Sequence, residues 1–198
     1  DGVSWGDEQI ITASDINAGD NFGYSVAIVG DDMIVGSRYG DSVVADAGSA
    51  YVFKRSGTSW SEQSILKASD IVNSDYFGES VAIYGDYAIV GAPYKNSYTG
   101  AVYIFNRTGT NWTQQSKIIT SDGASSDFFG KSVAIYGDYV FSGSFGDDDG
   151  GSVSGSAYIY IAPNSVPKLD FDGFNKYTFT GADTGSTYKL KYESNTYD

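Results

Sequence analysis

The sequence of 198 residues contains no cysteine and no histidine. The absence of cysteine excludes disulfide scaffolds, thiol nucleophiles and Cys-ligated zinc. The absence of histidine removes the side chain that most often serves as a general base near neutral pH and as a metal ligand. Most familiar catalytic chemistry is thereby excluded, and we predict that the chain is not an enzyme and has no catalytic residues.

Basic residues are scarce: 12 Lys and Arg stand against 25 Asp and Glu, which gives a formal charge of −13. A surface of that sign repels phosphate groups, so we expect no nucleic-acid partner. No apolar run approaches the roughly 20 residues needed to cross a bilayer, and the first residues lack the basic start and apolar middle of a signal peptide. We therefore expect no membrane insertion and a mature or excised segment.

The chain does contain a threefold repeat with a period near 50 residues, the range typical of stacked or radial architectures. Each of three tryptophans is followed ten residues later by Asp, and seven residues after that by Phe. Residues 76–92 and 128–144 are identical at 11 of 17 positions. A residue that recurs at a fixed place is expected to pack the repeat together. These packing residues are Trp5, Trp60, Trp112, Phe22, Phe77 and Phe129.

Within each unit the pattern indicates strands and tight turns. The first two strand segments flank Gly30-Asp31, Gly85-Asp86 or Gly137-Asp138, two-residue connections that favour hairpins. Both parities of the first strand are apolar, which indicates burial on two faces. A strand with a central Tyr and a more polar strand that begins at Trp follow, so each unit has four strands. No stretch shows a sustained helical period, and we predict an all-β fold with almost no helix.

These units resemble FG-GAP repeats, the integrin-alpha-like blades of β-propellers. The FG pair stands at Phe22-Gly23, Phe77-Gly78 and Phe129-Gly130, and the GAP element is intact once, as Gly91-Ala92-Pro93. The resemblance covers about residues 5–161. It implies four-stranded blades in a radial propeller, usually extracellular and non-catalytic, used for adhesion, ligand binding or scaffolding. Integrin-like blades commonly carry a calcium loop between the first two strands, but Gly-Asp turns hold that place here, so that site is not carried over.

The sequence divides into three blade units and a remainder. The units span residues 5–59, 60–111 and 112–161. Residues 162–168 hold two of the three prolines and are typical of a linker. Residues 169–198 predict a short C-terminal β segment that is too small for an independent core. This segment would pack on the blades, join another chain or begin a truncated module.

Three blades are too few for a closed ring, because propellers typically have four to eight. The repeat starts with the outer strand led by Trp5 and ends at its third strand, Ala157 to Ile161. The leading strand would complete the last blade of the same chain or, by strand exchange, that of another copy, giving a filament or a ring. Alternatively, the chain is a fragment of a longer propeller protein. We predict a structural or adhesion protein that self-associates.

Two acidic segments are candidate sites for a hard cation, and calcium is the cofactor that they suggest. One is a carboxylate-rich loop followed by glycines, for which a solvated loop is the alternative interpretation. The other has the alternating oxygen ligands of a calcium turn but lacks the distal glutamate of an EF-hand. The candidate ligands are Asp147, Asp148 and Asp149 in the first segment and Asp170, Asp172 and Asn175 in the second.

The sequence suggests two roles for glycans, as covalently attached groups and as bound ligands. Asn106 and Asn111 each begin an acceptor sequence for N-glycosylation beside an expected hairpin turn. Tyr39, Tyr94 and Tyr98 lie in loops outside the repeat pattern, where their rings are candidate ligand contacts. The alternative function is therefore a carbohydrate- or cation-dependent binding domain. Either function favours an extracellular or cell-surface location.

Overall fold

The structure is a computed structural model that describes residues 6, 8–40 and 46–162. Within these ranges the chain forms eleven strands and one short helical turn. In chain order the elements are β1 (Phe22–Val29), β2 (Asp32–Ser37), β3 (Ser49–Ser56), β4 (Ser59–Leu66), β5 (Ser80–Tyr84), β6 (Tyr87–Ala92), α1 (Lys95–Tyr98), β7 (Ala101–Thr108), β8 (Asn111–Ile118), β9 (Ser132–Tyr136), β10 (Tyr139–Ser144) and β11 (Ser156–Ile161).

The strands form three antiparallel sheets, which we call blades 1, 2 and 3. Blade 1 has the order β1-β2-β3-β4, blade 2 the order β5-β6-β7-β8 and blade 3 the order β9-β10-β11. Each blade is a simple meander in which consecutive strands pair. The all-β fold and the three blade-type sheets for three repeats are confirmed.

Helix is limited, in the described ranges, to the four residues of α1. Asn96 and Ser97 within it have left-handed φ angles of 51° and 58°, so the segment is a tight loop turn rather than a regular helix. The prediction of almost no helix is confirmed for this part of the chain.

The predicted two-residue hairpins are present in all three blades. Residue pairs Val29–Asp32, Tyr84–Tyr87 and Tyr136–Tyr139 close them. The first turn residue is a glycine with a φ between 56° and 58° in each case. Glycine adopts this left-handed conformation without the Cβ penalty of other residues, which explains the recurring Gly-Asp.

Burial of the first strand on two faces is confirmed for β5 and wrong for β1 and β9. Val81, Ala82 and Ile83 are all buried, because β5 lies between the other two innermost strands. In contrast, Val26 and Ile28 of β1 are 66% and 60% exposed, and β9 alternates between exposed and half-buried residues. The pattern of two apolar faces is the same in each blade, but only blade 2 has a described blade on both sides.

Two apolar cores hold the blades together. Val81, Ile83 and Val90 of blade 2 pack with Ile34 and Val52 of blade 1. On the other side of blade 2, Ala82, Ile89 and Val102 pack with Val140 and Tyr158 of blade 3. Alternate residues of one blade 2 strand therefore belong to different blade junctions, as the period of two along a strand requires.

The recurring Phe-Gly pair fastens each blade to the one before it. The Phe77 N–H donates to the Ala47 carbonyl at 2.9 Å, and the Phe129 N–H donates to the Thr99 carbonyl at 3.0 Å. The carbonyl of the following glycine accepts from a serine hydroxyl of the previous blade. These bonds run from Ser25 Oγ to Gly78 O at 2.8 Å and from Ser80 Oγ to Gly130 O at 2.7 Å.

Glycines of the previous blade provide the space for this contact. A Cβ on Gly36 would lie 2.0 Å from the Gly78 carbonyl oxygen, and a Cβ on Gly91 would lie 2.0 Å from the Gly130 oxygen. Gly48 makes an equally close approach to Phe77. Backbone packs directly on backbone at both junctions, so these positions exclude every side chain.

The aromatic rings of the FG pairs pack inside their own blades. Phe77 and Phe129 are fully buried, and Phe22 is half-buried. Each ring meets the edge of the tyrosine at the centre of its third strand, with ring centroids 5.4 to 5.5 Å apart. Edge-to-face contacts of this kind add to the stabilisation from burial.

The tryptophans lie near the outer strands. Trp112 is 9% exposed, and its Nε1 donates to Gln63 Oε1 of blade 1 at 3.0 Å. Trp60 is half-buried, with the Arg55 guanidinium 5.9 Å from its ring. The third tryptophan of the repeat, Trp5, lies outside the described residues.

An ion pair supports the junction of blades 1 and 2. Arg107 Nη1 lies 2.7 Å from Asp32 Oδ1 across the junction, and Arg107 Nε lies 2.9 Å from Asp86 Oδ1 in its own blade. Lys54 also contacts Asp32. Burial raises the pKa of Asp32, but the hydrogen bonds and charges of Arg107 and Lys54 outweigh it and hold that pKa below its ordinary value.

The outer edge of blade 3 differs from those of blades 1 and 2. Among the described residues, β11 pairs with β10 alone, whereas β3 and β7 each carry a further outer strand. Residues 8–13 form no strand. The predicted linker beyond residue 162 and the C-terminal β segment at 169–198 lie outside the described residues.

Candidate functional site

The three loop tyrosines singled out as ligand contacts lie along one line on the loops that connect the strands. Tyr94 follows β6 and contacts Tyr98 in α1, with ring centroids 5.6 Å apart. Tyr39 follows β2 and reaches Tyr94 through Tyr76, which is 4.9 Å from Tyr39 and 4.6 Å from Tyr94. The structure therefore brings all three together, joined by a fourth ring.

Two phenylalanines extend this line to blade 3. Phe128 lies 5.5 Å from Tyr94 and stacks on Tyr98 at 5.7 Å. Phe145 stacks on Phe128 at 4.9 Å with an angle of 13° between the rings. We call the resulting continuous surface the aromatic strip; its members are Tyr39, Tyr76, Tyr94, Tyr98, Phe128 and Phe145.

The aromatic strip is partly open to solvent. Tyr98 and Phe145 are 48% and 52% exposed, and the other four members are half-buried. Rings in such a position present flat apolar faces on which sugar rings or apolar side chains can stack. The aromatic strip crosses all three blades, so it is long enough to contact several sugar or amino-acid units of one ligand.

Charged groups lie beside the tyrosines. The Arg38 guanidinium carbon is 4.5 to 5.9 Å from the ring centroids of four tyrosines, Tyr24, Tyr39, Tyr76 and Tyr94. These distances are within the range of cation–π attraction. Arg38 is therefore held by aromatic rings and does not project freely into solvent.

Glu79 pairs with both Arg38 and Lys131. Its side chain is 1% exposed, its Oε2 lies 3.2 Å from Arg38 Nε, and its Oε1 contacts Lys131 Nζ. Burial lowers the pKa values of Arg38 and Lys131, but the charge of Glu79 outweighs it and holds both pKa values above their ordinary values. The cluster links blades 1, 2 and 3 by charge.

Sequence reasoning missed Tyr76, Phe128, Phe145 and Arg38 as members of this surface. A signal was available for two of them, because Tyr76 and Phe128 both directly precede the Phe of an FG pair. Both also have left-handed φ angles, 52° and 57°. Asn21, which precedes the first FG pair, has the same conformation with a φ of 57°, so this conformation belongs to the repeat and not to the aromatic strip alone.

The family of the repeats follows from a comparison with known proteins. The FG-GAP repeat family matches residues 5–53, 60–105 and 112–160, together well over half of the chain. The chain belongs to the FG-GAP repeat family. In the structure the three FG pairs of these repeats occupy the same place in their blades, at the start of the innermost strand or just before it.

One curated relative is an integrin alpha chain. The FG-GAP chain is 32% identical over 121 residues to integrin alpha-2 of Mus musculus, an alignment that covers 54% of this chain and 10% of that protein. The chain thus spans about a tenth of the length of this relative. The similarity supports a propeller-type domain related to part of an integrin alpha chain.

The recurring aspartates of the FG-GAP units have structural partners. The carboxylate ten residues after each Trp accepts the hydroxyl of the central tyrosine of the third strand. The pairs are Tyr51–Asp15 at 2.9 Å, Tyr103–Asp70 at 2.7 Å and Tyr158–Asp122 at 3.2 Å. Burial and these carboxylates, joined at Tyr158 by Asp147, raise the pKa of all three tyrosines above the ordinary value.

The acidic loop after β10 has one buried member. Asp147 is 3% exposed and accepts the Tyr158 hydroxyl at 2.5 Å and the Asp149 N–H at 3.2 Å, whereas Asp148 and Asp149 are exposed. Within the described ranges no group of three or more acidic side chains is arranged to hold a metal ion. Cation binding by this loop stays a prediction, and Asp170, Asp172 and Asn175 lie outside the described residues.

The two glycosylation sequons differ in accessibility. Asn106 is half-buried on β7, and its Nδ2 donates to the Asp86 carbonyl at 3.3 Å. Asn111 is exposed at the start of β8, as is Thr113, the third residue of its sequon. None of the described segments forms a helix long and apolar enough to cross a membrane.

Proposed function

We propose that the chain is a non-catalytic structural or adhesion module, extracellular or at the cell surface, that assembles with other copies of itself through its blade faces. The observation that carries the proposal lies on blade 1. Val26 and Ile28 are 66% and 60% exposed, whereas the equivalent residues of blade 2, Val81 and Ile83, are 7% and 3% exposed. The same apolar side chains are thus exposed in blade 1 and buried in blade 2.

The opposite end of the blade stack exposes the other half of the same junction. Phe141 of blade 3 is 40% exposed, whereas its equivalents Ile34 and Ile89 are fully buried. Ala157 is exposed as well, and its equivalent in blade 2, Val102, is fully buried. An exposed apolar patch on a charged protein favours an interaction surface.

The two exposed faces match each other because the chain already joins such faces twice. The face of blade 2 that bears Val81 and Ile83 packs on the face of blade 1 that bears Ile34. A second copy would repeat that contact with its blade 1 against blade 3. The contact is heterologous, so it extends into a filament or closes into a ring.

Strand exchange would add to this contact. Among the described residues no fourth strand follows β11 in the sheet of blade 3, and the segment led by Trp5 holds the corresponding place in the repeat. Pairing at an open edge supplies main-chain hydrogen bonds as well as burial. The acidic charge of −13, the sequons and the integrin relative support an extracellular location.

Light scattering and electron microscopy test the proposal. We expect the wild-type chain to form species of several copies that grow with concentration, and Ile28→Asp to remain a single chain. The matched control is Ile119→Asp, because Ile119 is 56% exposed in the segment that follows β8. A single-chain mass for the wild type at all concentrations would overturn the proposal, and so would equal disruption by both substitutions.

The aromatic strip favours a second candidate function, the binding of carbohydrate. An exposed aromatic ring such as that of Tyr98 can stack on a sugar ring that presents an apolar face. A glycan array tests it: Tyr98→Ala is expected to lose binding, and Tyr136→Ala, at a 72% exposed tyrosine outside the strip, is expected to retain it. Equal signals from both variants would exclude the strip as the binding surface.

A further inference from the structure

Blade 3 carries a cavity of about 370 Å³ on its exposed side. Ser132, Gly143, Phe145, Gly155 and Ala157 are among the residues that line it. These residues come from all three strands of the blade and from the loop after β10. Their equivalents in blades 1 and 2 lie at the blade junctions, which allows a residue-by-residue comparison.

Gly143 occupies the position of a closely packed glycine in blades 1 and 2. At the equivalent glycines, Gly36 and Gly91, a Cβ would lie 2.0 Å from the carbonyl oxygen of the FG glycine of the next blade. Among the described residues, a Cβ at Gly143 would meet only Ser132 within 4 Å, at 2.5 Å from its Oγ. No described residue of the chain therefore fills, in the third blade, the space that a carbonyl oxygen fills in the other two.

Ser132 occupies the position of a hydrogen-bonding serine in blades 1 and 2. The equivalent serines, Ser25 and Ser80, each donate a hydrogen bond to that same glycine carbonyl, at 2.8 and 2.7 Å. Ser132 is exposed and stands at the same position of β9. The hydroxyl donor of the junction is thus already in place.

Gly155 occupies the position of a second closely packed glycine in blades 1 and 2. At its equivalents, Gly48 and Gly100, a Cβ would lie 1.9 and 2.0 Å from the carbonyl oxygen of the FG phenylalanine of the next blade. At Gly155 the nearest atom is 3.4 Å away and belongs to the adjacent loop, at Phe145. Both glycines that receive an FG pair at a junction are therefore present in blade 3, and no backbone atom of the described residues approaches either of them as closely as an FG pair does.

We propose that this cavity is a socket for the Phe22-Gly23 segment of a second copy of the chain. The Gly23 carbonyl would accept from Ser132 Oγ, and the Phe22 N–H would donate to the Ser154 carbonyl, which is the equivalent of the Ala47 and Thr99 carbonyls. The Phe22 ring stays in its own blade against Tyr51, so the inserted segment is backbone held in a preformed shape.

Charge is compatible with this contact. At the first internal junction Tyr24 Oη lies 3.2 Å from Glu79 Oε1, and at the second Glu79 pairs with Lys131. The socket contact would place Lys131 opposite Tyr24 of the second copy, since the three residues hold the same position after their FG pairs. No like charges meet there, and an ammonium beside a tyrosine is attractive.

The socket rests on the self-association proposed above and names its contact. The test mixes two variants: Ile28→Asp blocks the face of blade 1, and Gly143→Val fills the socket. We expect each variant alone to remain a single chain and their equimolar mixture to form a two-chain complex, because one intact socket and one intact blade 1 face remain. Ser116→Val, at an exposed position of β8, introduces the same side chain outside the socket and should assemble as the wild type does.

The outcomes separate the socket from the self-association. If Gly143→Val assembles like the wild type, the socket is wrong and the self-association stands. If the wild type does not assemble, both are wrong. Ser132→Ala provides a second test in case Gly143→Val does not fold, since it removes only an exposed hydroxyl. The loss of one hydrogen bond should weaken association about fivefold. An unchanged association constant for Ser132→Ala would contradict the socket.

Discussion

Lys95 Nζ lies 2.7 Å from Asp75 Oδ2, and both side chains are only 4% exposed. The same ammonium contacts the Asp70 carbonyl oxygen and lies 3.7 Å from its carboxylate. A buried ion pair is held in place by such additional partners, because two charges taken out of water need full hydrogen bonding. In blade 3 the equivalent of Lys95 is Asp147, so the repeats preserve the fold while the buried charge at this position changes sign.

Replacement of this lysine should be costly. Lys95→Met leaves the buried Asp75 carboxylate without its cation, and we expect the free energy of unfolding to fall by about 3 to 5 kcal/mol. Urea denaturation measures it. Lys54→Met is the matched control, since Lys54 pairs with Asp32 but its side chain is 41% exposed; its loss should stay below about 1 kcal/mol. Equal losses would show that burial does not govern the Lys95 pair.

Glycine at one repeated strand position should be essential in blade 2 and dispensable in blade 3. Gly91→Ala places a Cβ 2.0 Å from the Gly130 oxygen, so the junction must open, at a cost of at least about 2 kcal/mol. In the described part of the chain, the Cβ of Gly143→Ala meets only the Ser132 side chain, whose hydroxyl can rotate away. Thermal unfolding at low protein concentration, where the chain is not assembled, should therefore show a lowered Tm for Gly91→Ala alone. A similar fall for both variants would contradict the open state of the blade 3 cavity.

The ion pair between Arg107 and Asp32 predicts a loss of stability in acid. The pKa of Asp32 is held below its ordinary value of 3.8, so the folded chain binds fewer protons there than the unfolded chain does. The stabilisation is therefore complete above about pH 5 and falls as the pH drops through the folded pKa. We expect the unfolding free energies of wild type and Arg107→Met to differ at pH 7 and to converge as the pH falls through the folded pKa of Asp32.

A surface pair provides the control for this titration. Arg55 pairs with Asp31, but the two side chains are 44% and 53% exposed, so Arg55→Met should change stability little at any pH. A difference between wild type and Arg107→Met that does not shrink at all below the ordinary carboxyl pKa of 3.8 would show that the stabilising role of Arg107 does not depend on the Asp32 charge.

Accessibility predicts which sequon is used. When the chain is secreted from a eukaryotic host, we expect glycan at Asn111, which is exposed, and none at Asn106, which is half-buried and bonded to the Asp86 carbonyl. Intact mass before and after deglycosylation measures this for the wild type and for Asn111→Gln. A glycan retained by Asn111→Gln would contradict the prediction.

Local signals were sufficient for the blades and insufficient for what lies between them. The Gly-Asp hairpins and the strand order follow from neighbours in sequence. The structure has the hairpins in all three blades and the four-strand order in blades 1 and 2. The exposure of Val26 and Ile28 could not be predicted, because their pattern is identical to that of the buried Val81 and Ile83. Whether such a strand is buried depends on the adjacent blade and not on its own residues.

The aromatic strip has the same explanation. Tyr39, Tyr94 and Tyr98 stood out because they do not recur, but Tyr76 and Phe128 were hidden within the repeat pattern. Arg38 was missed because it replaces the proline of the GAP element, and nothing in its local sequence indicates that four tyrosines from two blades surround it. Contacts between loops of different blades are set by the stacking of the sheets, which no local pattern records.

Thiol cross-linking tests the head-to-tail contact most directly, because the chain has no cysteine of its own. Ala27 of blade 1 packs against the core that contains Val81 of blade 2; the corresponding residues between copies are Ala134 and Val26, both exposed. A short bis-maleimide should join Val26→Cys chains to Ala134→Cys chains into a two-chain product and should leave each variant alone uncross-linked. No product from the mixture, or equal product from either variant alone, would contradict the account.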